Sequence, residues 1–379
     1  MRTSNVTKIE INLDNLLHNY HALIKYVGKA EVVPVIKSEA YGHGAVPIAR
    51  ALAEAGCRHM AIAMVDEGVQ LRLAGISAEI MVLGVTLPEQ YAILAEYDLT
   101  PTLNSCENLR AWAETARRVG RQLPFHLKVD IGLGRLGFLP EQAHEALQTI
   151  NGLPEIKLRG ISSHLSHPEG TAEHNAREFE RYQLFCEPFS AAYPHVARHL
   201  AASEAILRHP HMYFDLVRVG GLLYGFDYDY PTSLTLKPVL SYSSKVGQVK
   251  TLQPGWGVGY GIDRLVQKPT RVALLPLGWS DGLSKNHIGK AQALIRGQFA
   301  TLIGICTDFT MFDITHIPEA TAGDEAVLVG SQGDKQQTIM QLAHAGGMSA
   351  SELLGSTALR VARVYTRGQQ VQEELSIIS

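Results

Sequence analysis

From about residue 8 to residue 226, short apolar runs alternate with longer amphipathic segments. The apolar runs are rich in β-branched residues, a pattern typical of buried parallel strands. The predicted strands are Val32–Ile36, His59–Met64, Glu79–Leu83, Thr100–Leu103, Pro124–Asp130, Lys157–Ser163, Val196–Leu200 and Phe214–Val219. The predicted helices are Ala45–Leu52, Asp66–Ala74, Pro88–Ala95, Glu107–Val119, Glu141–Ile150, His174–Ala191 and Glu204–Arg208. This alternation predicts an α/β fold with an N-terminal (β/α)8 barrel of the TIM type over residues 1–232.

After Pro231-Thr232-Ser233 the pattern changes to short strands separated by turn signals. The predicted strands are Leu240–Val249, Arg271–Leu277, Gln292–Ile295, Ala300–Ile305, Ala326–Val329 and Ala358–Tyr365, with one helix at Gln337–Ala345. We therefore predict a mainly β domain over residues 233–379, with which residues 1–9 can pair. A chain of 379 residues is also too long for one ordinary core, which favours two domains.

Charge and composition exclude several function classes. The formal net charge of −3 gives no electrostatic reason to expect nucleic acid or an anionic membrane as partner. The N-terminus lacks a signal-peptide core, and no apolar run reaches the length of a membrane span. The cysteines are scattered, without the spacing of a metal site or a disulfide framework; they are Cys57, Cys106, Cys186 and Cys306. We expect a cytoplasmic protein without a metal site.

Residues whose side chains can take part in catalysis or binding follow the predicted barrel strands at one end, where barrel enzymes build their sites. Lys37 ends the first run, His164 follows the Lys157 run, and Ser203 follows the Val196 run. Burial would lower the pKa of the Lys37 amine, which suits a Schiff-base lysine, although a strand-end lysine that reaches for solvent is the commoner case.

Two motifs admit several interpretations. Gly132-Leu133-Gly134-Arg135-Leu136-Gly137 fits a dinucleotide fingerprint, a tight turn that needs glycines, or a substrate loop. Its place in the middle of the strand–helix series argues against a dinucleotide site. His164 and His167 could bind a metal, but without a nearby carboxylate or cysteine a structural histidine is more common.

Lys37-Ser38-Glu39-Ala40-Tyr41-Gly42-His43-Gly44 resembles the pyridoxal-phosphate lysine motif of alanine racemases, and the resemblance runs from Ile9 to the strand Leu359–Tyr365. The segments 128–138 and 199–225 also match this family. The resemblance implies that pyridoxal 5'-phosphate is bound by Lys37, Tyr41, His164, Ser203, Arg218, Gly220 and Gly221. Arg218 would face the pyridine nitrogen and keep it unprotonated, because a guanidinium cannot accept a proton. Such pairing favours return of the proton to Cα.

The same resemblance implies the rest of the mechanism. Lys37 and Tyr260 would be the two bases that exchange the Cα proton on opposite faces of a small amino acid, interconverting L- and D-alanine. Tyr260 would come from the partner subunit, so that the active site requires a homodimer. Arg135 and Thr307 would bind the substrate, and Lys128, often carbamylated in the family, would support Arg135.

Several positions depart from the family pattern and keep other functions open. Glu39, Trp279, Thr307 and Leu359 differ from the usual residues, and Leu359 replaces a tyrosine that commonly contacts the phosphate and narrows the entrance. A racemase of broader or different specificity, for serine, lysine or another amino acid, is therefore an alternative. A pyridoxal-phosphate decarboxylase is opposed by Arg218. A non-catalytic pyridoxal-phosphate-binding protein is opposed by the β domain.

Overall fold

The N-terminal part of the chain forms a closed parallel barrel. The computed structural model describes residues 6–260, 264–368 and 370–375, so residues 1–5 of the predicted pairing segment lie outside the described residues. Strand β1 (Lys8–Asn12) precedes the barrel, and the barrel strands are β2 (Glu31–Pro34), β3 (His59–Ile62), β4 (Glu79–Val82), β5 (Leu99–Leu103), β6 (Leu123–Lys128), β7 (Ile156–Ser162), β8 (Ala197–His199) and β9 (Leu216–Val219). Strands β3 to β8 form a six-stranded parallel run, and β2 pairs with β9. Parallel bridges between Val35 and Ala61 and between Ala202 and Arg218 close the ring.

Amphipathic helices cover the outside of this barrel. They are Leu13–Val27, Ala45–Glu54, Val65–Leu73, Tyr91–Glu96, Cys106–Val119, Ala143–Asn151, Ala172–Ala192 and Ser203–Arg208, with short 3-10 turns at Pro88–Gln90, Pro140–Gln142 and Pro210–Met212. Cys106–Val119 shows why they form where they do. The Ser105 hydroxyl accepts from the Asn108 amide at 3.1 Å, and Leu109, Trp112 and Ala116 are buried at helical spacing. Gly120, with φ of 69°, ends the helix in a left-handed conformation.

The C-terminal domain is built on one large, mostly antiparallel sheet. Its strands are β10 (Leu240–Lys245), β11 (Gln248–Leu252), β12 (Thr270–Leu275), β13 (Gln292–Ile295), β14 (Gln298–Ile305), β15 (Thr310–Asp313), β16 (Glu325–Gln332), β17 (Lys335–Gln337), β18 (Ala362–Arg367) and β19 (Gln370–Leu375). The other elements are a 3-10 turn at Lys285–His287 and helices Ile339–Ala345 and Ala350–Gly355. Strand β1 lies in this sheet, antiparallel to β10 and parallel to β18, so the sheet uses both ends of the described chain.

The predicted fold class is confirmed, and the differences are local. Each predicted barrel strand has an observed counterpart, but the helix Leu13–Val27 was not predicted. The single predicted strand Leu240–Val249 is divided into β10 and β11, and the helix Ala350–Gly355 was not predicted. No helix in the described ranges combines the length and the apolar character needed to cross a membrane. The predicted boundary near residue 232 stays a prediction.

Strand β18 holds the segment that carries Lys37. The buried Tyr365 donates a hydrogen bond to the His43 carbonyl at 2.8 Å. A Cβ at Gly44, where φ is +88°, would lie 1.9 Å from the same hydroxyl, so only glycine fits there. The β domain thus fixes the loop after the first barrel strand of the same chain.

Removal of the Tyr365 hydroxyl tests this connection. Tyr365→Phe leaves the His43 carbonyl buried without its donor, so we expect the free energy of unfolding to fall by about 1–3 kcal/mol. Chemical denaturation measures the change, with Tyr97→Phe as a matched control at a half-buried tyrosine for which the described residues show no hydroxyl hydrogen bond. Equal stability of the Tyr365→Phe variant and the wild type would contradict the proposed connection.

Candidate active site

A cavity of about 650 Å³ lies at the carboxyl ends of the barrel strands. Most of the residues singled out in the sequence line it: Lys37, Tyr41, Lys128, Arg135, His164, Ser203, Arg218, Gly220 and Gly221. Their positions are separated by up to 184 residues in the sequence, between Lys37 and Gly221, and the barrel closure brings them to one mouth. The cavity is therefore the candidate active site.

Lys37 begins a turn with unusual backbone geometry. Ser38, Glu39, Ala40 and Tyr41 all have φ between 51° and 53°, the left-handed region, which costs roughly 1–2 kcal/mol per residue. Acidic side chains offset part of this cost. The Ser38 amide donates to Glu67, and Glu39 accepts from the Ala45 amide at 3.0 Å and from Gln70 at 3.1 Å. Glu39, a departure from the family motif, thus stabilises the turn and the start of the next helix.

The Lys37 amine lies where its pKa is lowered. Burial lowers its pKa from the ordinary value, the neighbouring Arg135 guanidinium lowers it further, and Glu67 opposes the shift. A lysine must lose its proton before it can act as a nucleophile or accept a proton, so the shift favours both roles.

Arg218 is buried at the end of β9, and among the described residues its hydrogen-bond partners are neutral groups. It donates to the carbonyls of Ser163 at 2.5 Å, His199 at 2.9 Å and Leu200 at 3.1 Å. It also contacts Nδ1 of His199 at 3.0 Å. Burial lowers the pKa of Arg218 to about 10, so the guanidinium remains charged at neutral pH.

The contacts of Arg218 determine the tautomers of two buried histidines. Because a guanidinium only donates, Nδ1 of His199 must accept and its Nε2 must carry the proton. That Nε2 lies 2.9 Å from Nδ1 of His126, which therefore accepts in turn. Burial lowers the pKa values of both rings, to about 4 for His126, which keeps them neutral in this chain of hydrogen bonds.

The glycine-rich loop after β6 is organised by its own aspartate. The Asp130 carboxylate accepts from the amides of Gly132 at 3.0 Å, Gly134 at 3.1 Å and Arg135 at 2.6 Å. The amides that a dinucleotide would need are already bonded, so the dinucleotide interpretation is wrong. The loop instead brings Arg135 to the cavity beside Lys128, whose pKa is lowered well below its usual value by burial and by Arg218 and Arg135.

A second part of the cavity is lined by hydroxyls and glycine backbone. The Ser203 hydroxyl accepts from the amides of Gly220 at 2.9 Å and Leu222 at 3.4 Å. A Cβ at Gly220 would lie 2.9 Å from the Tyr41 hydroxyl, and one at Gly221 would lie 2.1 Å from the Tyr228 hydroxyl. Both glycines therefore allow a phenol to approach the backbone closely.

His164 lies in the cavity, and the metal interpretation has no support. Its pKa is lowered by burial and by four cationic neighbours, Arg218, Lys128, Arg135 and Lys37. His167 instead contacts Glu169 at 3.0 Å on the exposed surface. No group of three or more His, Cys, Asp or Glu side chains in the described ranges is arranged to hold a metal ion.

Tyr260 and Thr307 lie elsewhere, on an exposed region of the β domain. Tyr260 is 68% exposed, and its ring centre is 6.0 Å from that of Trp279. The Trp279 and Ser280 amides donate to the carbonyls of Cys306 and Thr307, which joins the two predicted residues into one region. Neither Tyr260 nor Thr307 lines the Lys37 cavity of its own chain. Leu359, 74% exposed, does not line it either.

Comparisons with known proteins give a consistent result. Family models for the alanine racemase N-terminal and C-terminal domains match residues 11–227 and 239–365. An alanine racemase from Carboxydothermus hydrogenoformans is 38% identical over 94% of this chain and 98% of its own. The chain belongs to the alanine racemase family.

Solved structures agree with this membership. An alanine racemase from Clostridium difficile 630 superimposes with a TM-score of 0.90 at 30% identity, covering 99% of each chain. A histidine racemase from Leuconostoc mesenteroides superimposes with a TM-score of 0.83 at 26% identity, covering 97% of this chain and 99% of its own. The racemase fold therefore carries relatives that are named for different substrates.

Sequence reasoning missed several residues of the Lys37 turn and of the cavity beside it. Glu67 was visible only as an acid in the first turn of a predicted helix, a common position that does not indicate contact with the Lys37 turn. Tyr228 lies in a segment without regular structure, and Ser351 lies in an unpredicted helix; both line the cavity. No local pattern in the sequence identifies either of them.

His43, in the same turn, gives a pH-dependent test. Its Nδ1 donates to the Ala40 carbonyl at 2.9 Å, and its buried Nε2 has no partner within the described part of the chain, so a charged ring would carry an unpaired proton there. Burial lowers the pKa of His43 from 6.5 to about 4. The unfolded chain binds this proton more readily, so stability is lost as the pH falls through 6.5 towards 4.

His43→Asn retains a donor near the position of Nδ1 and removes the titration. We expect the wild type to lose up to about 3 kcal/mol of unfolding free energy, relative to this variant, between about pH 7 and about pH 4. Urea unfolding of both proteins across this range measures the difference. Parallel pH profiles for the two proteins would show that His43 does not titrate as the structure indicates.

Proposed function

We propose that this protein is a pyridoxal-phosphate-dependent amino-acid racemase that interconverts L- and D-alanine, with Lys37 and Tyr260 as its two bases. The observation that carries the proposal is the Lys37 cavity, which combines an amine of lowered pKa, a buried guanidinium and a hydroxyl-lined glycine turn. The relative from Carboxydothermus hydrogenoformans and the structural neighbour from Clostridium difficile 630 are both named alanine racemase.

The residues present fit the cofactor by chemistry. Lys37 supplies the amine for covalent attachment, and Arg218 supplies a permanent donor for the ring nitrogen. Tyr41, Ser203 and the backbone of Gly220 and Gly221 form a cradle that suits a phosphate: the Gly220 amide is bonded to the Ser203 hydroxyl, and the Gly221 amide, for which the described residues show no acceptor, can donate to an anion. When bound, pyridoxal phosphate withdraws electrons from an attached amino acid and makes its Cα–H bond more acidic.

The charges of the cavity favour the same ligands. Lys37, Lys128, Arg135 and Arg218 lower the pKa of His164 together, which shows how closely these cations are gathered. A phosphate and a substrate carboxylate would neutralise part of this charge. Arg135 is the residue we assign to the substrate carboxylate, with Lys128 behind it as a supporting residue. Thr307 would join them from the partner subunit.

Each base needs a position on one face of the substrate. Lys37 holds or releases a proton at its Nζ from inside the cavity, where the side chain is half-buried and its pKa is lowered. The phenol oxygen of Tyr260 would exchange a proton on the opposite face. Because Tyr260 is exposed and does not line the cavity of its own chain, we assign this role to the partner subunit in a homodimer.

The proposed organisation follows from these assignments. Residues 1–232 would form the cofactor-binding domain and residues 233–379 the domain that supplies Tyr260 to the partner. Cys57, Cys106, Cys186 and Cys306 are unpaired, as expected for the reducing cytoplasm to which we assign the protein.

Subunit complementation tests the two bases and the shared site together. Lys37→Ala should lose the visible absorbance of bound cofactor, and Tyr260→Phe should keep it while racemisation slows by about 100- to 10,000-fold. After the two variants are mixed and their subunits exchanged, hybrid dimers contain one site with both wild-type residues. We expect about a quarter of wild-type activity to return.

The double variant, Lys37→Ala with Tyr260→Phe, is the control for this mixture. Mixed in equal amounts with the wild type it forms hybrids in which each site lacks one base, so activity per wild-type subunit should fall to about half, whereas a site contained in one subunit would leave it unchanged. Failure of the two single variants to complement each other, with hybrids verified by mass spectrometry, would refute a site shared between subunits.

A racemase of different specificity is the second candidate. It is favoured by the aliphatic, exposed Leu359 at a position where the family usually has a tyrosine, and by the structural likeness to a histidine racemase. Chiral analysis of products from a panel of L-amino acids decides between the two candidates. We expect kcat/KM for alanine to exceed that for serine and for histidine by about 10-fold or more, since a pocket discriminates by about 1–3 kcal/mol per added group. A higher value for a larger substrate would replace alanine in the proposal.

A further inference from the structure

We propose that the Tyr228 hydroxyl is a direct donor to the phosphate of the cofactor, in the place of the phenol that residue 359 lacks. This inference rests on the proposed function and deepens it. Tyr228 lines the same cavity as Lys37, whereas Leu359 is exposed and does not line it. The binding site would thus keep two phenols, Tyr41 and Tyr228, on the two neighbouring glycines.

The position of the hydroxyl is the first support. The Tyr228 hydroxyl lies so close to the backbone of Gly221 that a Cβ there would be 2.1 Å away. The Tyr41 hydroxyl lies in the same way against Gly220, with a distance of 2.9 Å to a Cβ at that residue. These adjacent residues form the turn that we assign to the phosphate, so the two phenols flank it.

Counting protons gives the second support. A hydroxyl donates once and accepts about twice. Ser203 already accepts from the amides of Gly220 and Leu222, which uses its two acceptor positions, so Ser203 does not accept the proton of the nearby Tyr228 hydroxyl. Tyr228 then keeps its own proton, and within the described residues no hydrogen-bond acceptor for that proton is seen. An anion in the cavity is the group that would accept it.

The neighbouring tyrosines, Tyr224 and Tyr230, do not present a hydroxyl proton to the Lys37 cavity. The Tyr224 hydroxyl donates to the Val35 carbonyl at 3.1 Å, inside the barrel. The Tyr230 ring lies 4.6 Å from the Arg208 guanidinium and does not line the Lys37 cavity. Burial raises the pKa of Tyr228 to about 12, so that its hydroxyl remains a neutral donor under physiological conditions.

The experiment compares two ligands that differ only in the phosphate. Purified holoenzyme is freed of cofactor and titrated with pyridoxal phosphate or with pyridoxal, and the visible absorbance reports binding. The variants are Tyr228→Phe, with Tyr41→Phe as a second phosphate-site variant and Tyr230→Phe as the matched control. Circular dichroism of each free protein verifies folding. Phosphorus NMR of the reloaded proteins reports directly on the environment of the phosphate.

If Tyr228 donates to the phosphate, Tyr228→Phe should raise the dissociation constant for pyridoxal phosphate by about 10- to 100-fold, the loss of a hydrogen bond to a charged group. The dissociation constant for pyridoxal should change by less than about twofold, and the phosphorus resonance should shift. Tyr230→Phe should behave as the wild type for both ligands.

Two results overturn the inference while the proposed function stands. One is an unchanged dissociation constant for pyridoxal phosphate in Tyr228→Phe. The other is an equal weakening for both ligands, which would show that Tyr228 only braces Ser203 and the turn. If the wild-type protein binds neither ligand through Lys37, the proposed function itself is wrong and this inference falls with it.

Discussion

The structure depends on one buried cation that no carboxylate neutralises. Arg218 is 4% exposed, and within the described residues it forms no ion pair. Burying an unpaired charge is costly unless hydrogen bonds replace its hydration. Here the carbonyls of Ser163, His199 and Leu200 do so. These carbonyls stand at the ends of β7 and β8, so the guanidinium can be satisfied only when the barrel has closed around it.

This constraint extends in two directions. Towards the barrel interior, Arg218 fixes the tautomer of His199 and through it that of His126. The His126 ring also requires glycine at residue 160, because a Cβ on Gly160 would clash with its Nδ1. Towards the cavity, its charge lowers the pKa values of Lys128 and His164. A buried cation with further basic side chains gathered around it forms a site prepared for anions, and both phosphate and carboxylate meet that requirement.

The sequence predicted those parts of the fold and of the candidate site whose position in the structure follows from a local pattern of residues. Buried parallel strands are apolar along their whole length, so the strand runs and the residues at their ends, such as Lys37 and His164, were predictable. The left-handed turn at Ser38–Tyr41 was not, because it is imposed by Glu67 and Glu39 against the propensity of its own residues. Tyr228 was missed because its place depends on the path of an irregular segment between the two domains.

Tyr260 shows the limit of what one chain can specify. In the single chain the Tyr260 phenol is 68% exposed to water and lies away from the cavity to which we assign the substrate. The cations of the Lys37 cavity would stabilise the phenolate form of a phenol placed beside them. One chain holds these cations in its barrel and carries the phenol on its β domain, away from that cavity. If Tyr260 is the second base, its reactivity is therefore produced by assembly, since only a neighbouring subunit can bring it into the cations' field.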